Sequence, residues 1–299
     1  MDEEPGDHLL LVFNEKAGDG DLPPRELVRK VERAGRAVRL CASEPKAVRA
    51  GLNDRPAVVV AAGGDGTVAM VVAQASSKNV TVAPIPLGGL NNIAGAYGLK
   101  GDVDAVVAGW ARARHARLDC GVVTGDWGRS SFVEAVGFGA LTAALDDVGG
   151  GPATAGEKLA VGRAAFRRSL AEAQPREVTI ALDGASERLS ALGVEVMNLP
   201  AIGPRLRLAP QANPSDGLLD VVVVTCDDRS AMIAWIDAGC CGPPPVRSTR
   251  AREIEVVGFD KVRVDDPRRG RTTRNVPVRI ALAGSVTLML PDEALEERT

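Results

Sequence analysis

Histidine is almost missing from this 299-residue chain, with only His8 and His115 present. That removes Ser-His-Asp hydrolysis, Cys-His proteolysis and His-ligated metal chemistry. Any catalysis must run on carboxylates, hydroxyls, backbone amides, Lys and Arg. Cysteine is scarce as well. The five thiols, Cys41, Cys120, Cys226, Cys240 and Cys241, are odd in number and contain no CxxC, so neither a disulfide framework nor a zinc site is implied. The vicinal Cys240-Cys241 pair reads either as a redox couple or as two plain thiols before a Gly-Pro turn. Aromatic residues make up 3% of the chain, too few for the stacking platforms that hold single-stranded nucleic acid. A basic excess is also lacking: the formal net charge is -3, unlike that of a general nucleic-acid binder. No apolar run reaches the ~18 residues of a transmembrane helix. The acidic opening from Met1 to His8 is unlike a secretory signal. The expectation is a cytoplasmic chain without a nucleic-acid partner.

What is present suffices for a substantial core, at 45% hydrophobic and 25% charged residues, and the length suggests two domains. Up to Leu118 strand and helix alternate. Leu9–Phe13, Ala57–Ala62 and Thr81–Pro86 read as buried strands, and Ala37–Leu40 as an edge strand. Helices are expected from Pro23-Pro24 to Ala34, from a Ser43 cap to Leu52, over Thr67–Gln74 and over Val103–Ala113. Such alternation means a parallel sheet covered on both faces. After Leu118 short strands follow one another: Val122–Thr124, Ser131–Val136, Val178–Leu182, Gly193–Met197, Leu206–Ala209 and Leu218–Val224. Glu253–Val257, Lys261–Val264, Val278–Leu282 and Val286–Leu290 complete the series. Helices are limited to Ala140–Asp147, Gly156–Glu172 and Arg229–Asp237, with Gly/Pro-rich turns at Gly149–Pro152 and Gly242–Pro245. The expected architecture is a Rossmann-like α/β nucleotide-binding domain at 1–118. A mostly antiparallel β-sandwich domain follows at 119–299, its final residues packing back on the first.

The sharpest motif is Gly63-Gly64-Asp65-Gly66-Thr67, between a strand and a helix. Glycines there let a backbone approach a bulky anion, and the helix start offers unpaired amides and a positive dipole end. Phosphate is the natural guest. A carboxylate beside phosphate needs a cation, and Mg²⁺ bridging Asp65 to a polyphosphate would supply it. The alternative is a Gly-rich turn chosen for tight geometry. A second loop of this kind, Pro86-Leu87-Gly88-Gly89-Leu90-Asn91-Asn92, and a third, Asn14-Glu15-Lys16-Ala17-Gly18, follow neighbouring strands and would line one crevice at the carboxyl edge of the sheet. None is a Walker motif or GxGxxG.

These segments, taken in order, resemble the diacylglycerol kinase catalytic-domain superfamily. Asn14–Gly18 is similar to its Asn-Pro-x-Ser/Ala-Gly, Gly63–Thr67 to its Gly-Gly-Asp-Gly-Thr, and Pro86–Asn92 to its Pro-x-Gly-Thr-x-Asn-Asp. Ser131–Gly139 resembles its Phe-x-Asn segment. Leu208-Ala209-Pro210 with Ser215–Asp220 resembles its Ala-Pro-x-Ala…Asp-Gly-x-Leu-Asp signature. The resemblance implies an ATP- and Mg²⁺-dependent kinase acting on a hydroxyl of a lipid or lipid-like acceptor. It implies nucleotide contacts at Asn14, Gly18, Ser43, Gly63, Gly64, Asp65, Gly66, Thr67, Gly88, Gly89 and Asn91. It further implies a structural magnesium at Asn213, Asp216 and Leu218, and Asp265 as the base that deprotonates the acceptor. Peripheral contact with the inner membrane face and a homodimer through β-domain edges would accompany it.

The chain also departs from the family pattern. Glu15 replaces a proline, Ala69-Met70 an Asn-Glu, Gly89 a threonine, Asn92 an aspartate and Gly95 an arginine. Asp265-Asp266-Pro267 stands for Asp-Gly-Glu, and reads equally as a charged hairpin turn. Such changes define a second expectation, a catalytically degenerate member kept as a nucleotide- or lipid-binding regulatory module. Arg268, Arg269, Arg271 and Arg274 form a cluster suited to an anionic headgroup, a substrate phosphate or a solvated face. Arg163, Arg167 and Arg168 form a weaker one.

Overall fold

The computed structural model describes residues 6–17, 22–140, 142, 144, 154–274 and 276–292, the side chains of 266–269 excepted. Gly18, the loop at 149–152 and most of the helix expected at 140–147 lie outside the described residues. The chain divides into two compact units, Met1–Leu118 with Gly284–Thr299, and Asp119–Ala283.

The first unit runs β1 (His8–Phe13), α1 (Pro24–Glu32), β2 (Ala37–Ala42), α2 (Pro45–Asn53), β3 (Val58–Gly63), α3 (Asp65–Ala75), β4 (Thr81–Pro86), α4 (Asn92–Ala96) and α5 (Val103–Gly109). Its strands pair in parallel in the order β2-β1-β3-β4. β1 and β3 are continuous apolar runs because helices cover both faces; Leu9–Val12 and Val59–Ala62 are all buried. β2 lies at the edge and is mostly exposed. Pro24 and Pro45 open α1 and α2 at their first turns, where a missing N–H costs nothing. Each of these helices buries one i, i+4 pair, Leu27 with Val31 and Val48 with Leu52. α3 differs: Thr67–Val72 and Ala75 are all buried, while Gly66 at its start is exposed. Ser43 is not the cap of α2. That position belongs to Glu44, and no side chain caps it.

In the second unit come β5 (Arg114–Gly125, entering at Asp119), β6 (Gly128–Phe132), β7 (Ala135–Gly139), α6 (Ala155–Glu172), β8 (Arg176–Leu182), β9 (Ala185–Ala191) and β10 (Gly193–Met197). β11 (Leu219–Val224), α7 (Arg229–Asp237), β12 (Arg247–Ala251), β13 (Glu253–Val257), β14 (Lys261–Val264), β15 (Asp266–Thr272) and β16 (Val278–Leu290) complete it. β16 passes out of the unit at Gly284, whose φ of +141° is open to few residues but glycine. One sheet is antiparallel in the order β12-β11-β10-β7-β14-β15. β9, β8, β13 and the start of β16 pair antiparallel in another.

The Val-rich β11 shows how the layers form. Val221 and Val223 point into the core between the sheets with Ile180, Ile254 and Ile280. Val222 and Val224 point the other way, to Phe166 of α6 and Trp235 of α7. Leu206–Ala209, expected as a strand, makes only a single bridge from Leu206 to Ile202. The two strands expected at the end of the chain are one continuous strand, β16.

Candidate functional site

In a sheet ordered β2-β1-β3-β4 the connections leaving β1 and β3 run in opposite directions, from β1 to β2 on one side and from β3 to β4 on the other. Ligands of open α/β sheets bind at the carboxyl ends of the strands beside such a reversal. Asn14 follows β1 and Gly63–Thr67 follows β3, so both stand at that point.

Their side chains meet. Asn14 Nδ2 donates to Thr67 Oγ1 at 3.2 Å, and Asn14 Oδ1 accepts from the Lys16 amide at 3.1 Å. Gly63–Thr67 is tied twice to the segment that follows β4. The Leu87 amide donates to the Gly63 carbonyl at 3.0 Å, and Asp65 Oδ1 accepts from the Ile93 amide at 2.9 Å. Asn91, in the left-handed region at φ 51°, folds its amide back to accept from the Gly88 N–H at 3.0 Å and donate to the Gly88 carbonyl at 2.5 Å. Its side chain therefore shapes the loop.

The glycines carry a reason the sequence did not suggest. Gly64 has φ −85°, which any residue can adopt. A Cβ at Gly88 would lie 2.6 Å from Gly64 Cα and 2.7 Å from Asn91 Oδ1, while one at Gly63 would lie 2.5 Å from Thr67 Oγ1. The small residues let the loops interlock, whatever else they admit. The result is a rigid platform at the start of α3. Thr67 and Val68 donate to the Gly64 carbonyl, and the amides ahead of them have no acceptor within the helix, the usual setting for an anion. Asn14, Gly63, Gly64, Asp65, Gly66, Thr67, Gly88, Gly89 and Asn91 are thus gathered by three adjacent strand ends. Ser43 follows the edge strand β2. At two family-polar positions, Ala69 and Met70 are buried in α3.

The second unit holds Asp265, and not as expected. It sits in the tight β14–β15 turn at φ 53° and is 6% exposed. Its carboxylate accepts the amides of Val133 at 2.9 Å, Glu134 at 2.7 Å and Ala135 at 3.1 Å. Burial pushes this carboxyl up, against those amides and Arg263. A general base needs a freely aimed carboxylate; this one is engaged in clamping the segment entering β7.

Beside it lies a buried ion pair that sequence reading missed. Glu195, Gly137 and Arg263 stand opposite one another on β10, β7 and β14. Arg263 Nη2 reaches Glu195 Oε2 at 2.6 Å over the bare glycine, and Arg263 Nη1 donates to the Asp265 carbonyl at 2.7 Å. Burial drives the Glu195 carboxyl up, with Arg263 opposing it. Asn198, also buried, donates to the carbonyls of Asp119 and Val133 at 2.9 and 2.8 Å. A Glu inside the apolar run Gly193–Met197 was the available signal for this network.

Asn213, Asp216 and Leu218 come together in one turn, closed by contacts within the chain. Asn213 Oδ1 accepts from Ser215 N–H, the Asn213 carbonyl from Asp216 N–H and Asp216 Oδ1 from Leu218 N–H, while Asp216 Oδ2 lies 3.7 Å from Arg250. Arg250 lies beside the Asp216 carboxylate, and Asp119 Oδ2 ties into the same turn by accepting from Gly217 N–H at 2.9 Å, so the turn is held by contacts within the chain. Among the described residues no group of three His, Cys, Asp or Glu is placed to hold a metal. No helix among them is long and apolar enough to cross a membrane.

Comparison with known proteins agrees with this geometry. Residues 8–123 match the diacylglycerol kinase catalytic domain, and residues 153–288 match the YegS C-terminal NAD kinase beta sandwich-like domain. A diacylglycerol kinase of Mycobacterium tuberculosis is 26% identical over 211 residues, covering 66% of this chain and 66% of that protein. One of Bacillus subtilis is 29% identical over 178 residues, covering 56% and 54%. The chain thus aligns with about half to two thirds of these relatives' length. A solved structure of a diacylglycerol kinase from Bacillus anthracis shares the fold with a TM-score of 0.72, at 19% identity over 97% of this chain and 98% of that one.

Proposed function

From the premise that the chain belongs to the diacylglycerol kinase-like superfamily, we propose that it is an ATP-dependent lipid kinase transferring the γ-phosphoryl group to a hydroxyl of a lipid or lipid-like acceptor. The observation that supports this best is the interlocked platform at the ends of β1, β3 and β4. Three loops of different sequence are tied to one another around the start of a buried helix. Phosphoryl transfer asks mainly for positioning and charge stabilisation, and a preorganised set of backbone amides supplies both.

In this reading the amides at Gly64–Gly66 hold nucleotide phosphates, Asn14 and Thr67 brace the turn, and Asp65 fixes the Pro86–Asn92 loop through Ile93. The oxygens of Asp65, Asn14 and Thr67 are hard donors of the kind magnesium prefers. Bound with the nucleotide, Mg²⁺ would neutralise charge on the transferring phosphates. The proposed acceptor would be met at a membrane surface by peripheral contact from the cytoplasm.

A second reading has its own support. Asp265, the carboxylate expected to act as the acceptor's base, is engaged by three amides, which supports a nucleotide- or lipid-binding regulatory module.

Calorimetry with ATP, with and without Mg²⁺, tests the first reading in wild type and D65N. Asparagine keeps an acceptor for the Ile93 amide and removes the charge. The expected result is magnesium-dependent binding weakened by about tenfold in the variant at unchanged melting temperature. No binding at millimolar nucleotide would overturn it. Nucleotide binding without transfer to any lipid hydroxyl would favour the module.

A further inference from the structure

A small pocket of about 310 Å³ in the second unit is lined by Arg129, Ser130, Ser131, Val264 and Arg271. We propose that it binds a phosphoryl group, carried on an anionic headgroup or on a soluble phosphate.

The two arginines come from separate strands, Arg129 from the β5–β6 hairpin and Arg271 from β15, the outermost strand of its sheet. Both are exposed. Many arginines of this unit are matched by carboxylates, among them Arg176 with Asp260, Arg247 with Glu187 and Arg279 with Glu255. Among the described residues Arg129 and Arg271 form no ion pair, and neither serine hydroxyl has a partner. Two acids near them in sequence have other partners. Asp265 holds the amides at Val133–Ala135, and Asp126 accepts from the Arg274 amide at 3.2 Å. Two like charges converge on one pocket, and no carboxylate among the described residues pairs with either, a field that favours an anion.

The lining selects among anions. Guanidinium forks and hydroxyls all donate, and they match the several oxygens of a phosphoryl group. Two positive charges balance the ≈ −1.5 to −2 of a phosphomonoester near neutrality better than the single charge of a carboxylate. A volume near the lower end for ligand sites, with Val264 as the one apolar wall, suits a headgroup and not an acyl chain. Arg271 of the arginine cluster noted in the sequence lines this pocket. The inference does not depend on the kinase reading, because the probes below contain no nucleotide.

The test uses the full chain with two probes: inorganic phosphate, followed by calorimetry, and phosphatidylcholine vesicles with or without phosphatidic acid, followed by co-sedimentation. The variants are R129Q/R271Q, the milder R271K, and R188Q as a loss of one charge elsewhere on the same unit. Loss of at least about tenfold in affinity for either probe in R129Q/R271Q, a smaller loss in R271K and none in R188Q is expected. Phosphate responding assigns a soluble ligand, and vesicles alone responding assign a headgroup. Both arginines are exposed, so melting should barely change; should the double variant melt early, R271K carries the comparison. Binding of neither probe, binding insensitive to the arginine pair (as for phosphate held at Gly63–Thr67), or equal loss in R188Q would each overturn the proposal.

Discussion

Alanine at Gly88 tests whether the loops of the first unit form an interlocked platform. The added Cβ would meet Gly64 Cα at 2.6 Å and Asn91 Oδ1 at 2.7 Å. Carbon atoms in contact sit at ≈ 3.5–4.0 Å, so backbone or loop must yield by roughly 1 Å. One of the atoms struck is main chain and cannot rotate away. Forced overpacking of this kind typically costs ~1–3 kcal/mol. The easiest relief separates Gly88 from Gly64, and that lengthens the Leu87–Gly63 hydrogen bond and pulls on the Asp65–Ile93 bond. The variant should therefore lose both stability and nucleotide affinity, by a few degrees in melting temperature and at least about tenfold in Kd. G95A is the control. Nothing lies within 4 Å of a Cβ there, and Gly95 is inside α4, so alanine should be neutral or stabilise by up to ~1 kcal/mol. Differential scanning fluorimetry and ATP calorimetry on both variants read the outcome. Wild-type melting and affinity in G88A would refute the close approach of the two loops, and with it the account of why these positions are glycine.

In R263M, Glu195 is left buried without its partner, which should cost ~3–5 kcal/mol in chemical denaturation, and adding E195Q should recover part of the loss. G137A places a Cβ 2.2 Å from Glu195 Oε1 and should be similarly damaging, whereas G184A in an open turn should cost only the strain of φ +86°. Because burial raises the Glu195 carboxyl, the folded state binds that proton more tightly than the unfolded chain does. Its contribution is complete below the ordinary glutamate range and lost as pH rises through the raised value. Melting curves from pH 4.5 upward should show that decline in wild type and a flatter profile in E195Q. D265N puts an amide donor against the Val133 N–H. It should lower stability by ~1–3 kcal/mol, while a melting temperature equal to wild type would return Asp265 to candidacy as a base.

Where one physical cause dominated, the sequence was easy to read. Strands buried on both faces advertise themselves as Val and Ala runs, and β10 and α7 fall on their expected residues. The sites after β1, β3 and β4 were visible because small and polar residues interrupt those runs. Mixed causes hid the rest. β9, Ala185–Ala191, is largely polar because it is an exposed edge strand, yet Asp183-Gly184 before it, both with positive φ, is a two-residue hairpin turn that announces it. The final strand was split at Gly284 because glycine usually breaks a strand. Here it is a kink within one. The sense of the glycine turn was half legible: a phosphate loop and a loop packed against another backbone need the same residue, and only coordinates separate them.

Asp265 shows the limit most clearly, because motif matching locates a carboxylate and says nothing of where it points. Val133–Ala135 leaves three amides inside the unit with no strand partner, and a buried N–H must be satisfied. Asp265 satisfies all three, while its own carbonyl takes a hydrogen bond from Arg263, whose charge answers Glu195. Moving this carboxylate towards a substrate would orphan those donors together, at ≈ 1–3 kcal/mol each. Retaining an aspartate here therefore has a sufficient structural reason, and its presence alone is no argument for turnover. The case for phosphoryl transfer rests on the first unit, where Gly63–Thr67 and its two neighbouring loops remain tied into one platform.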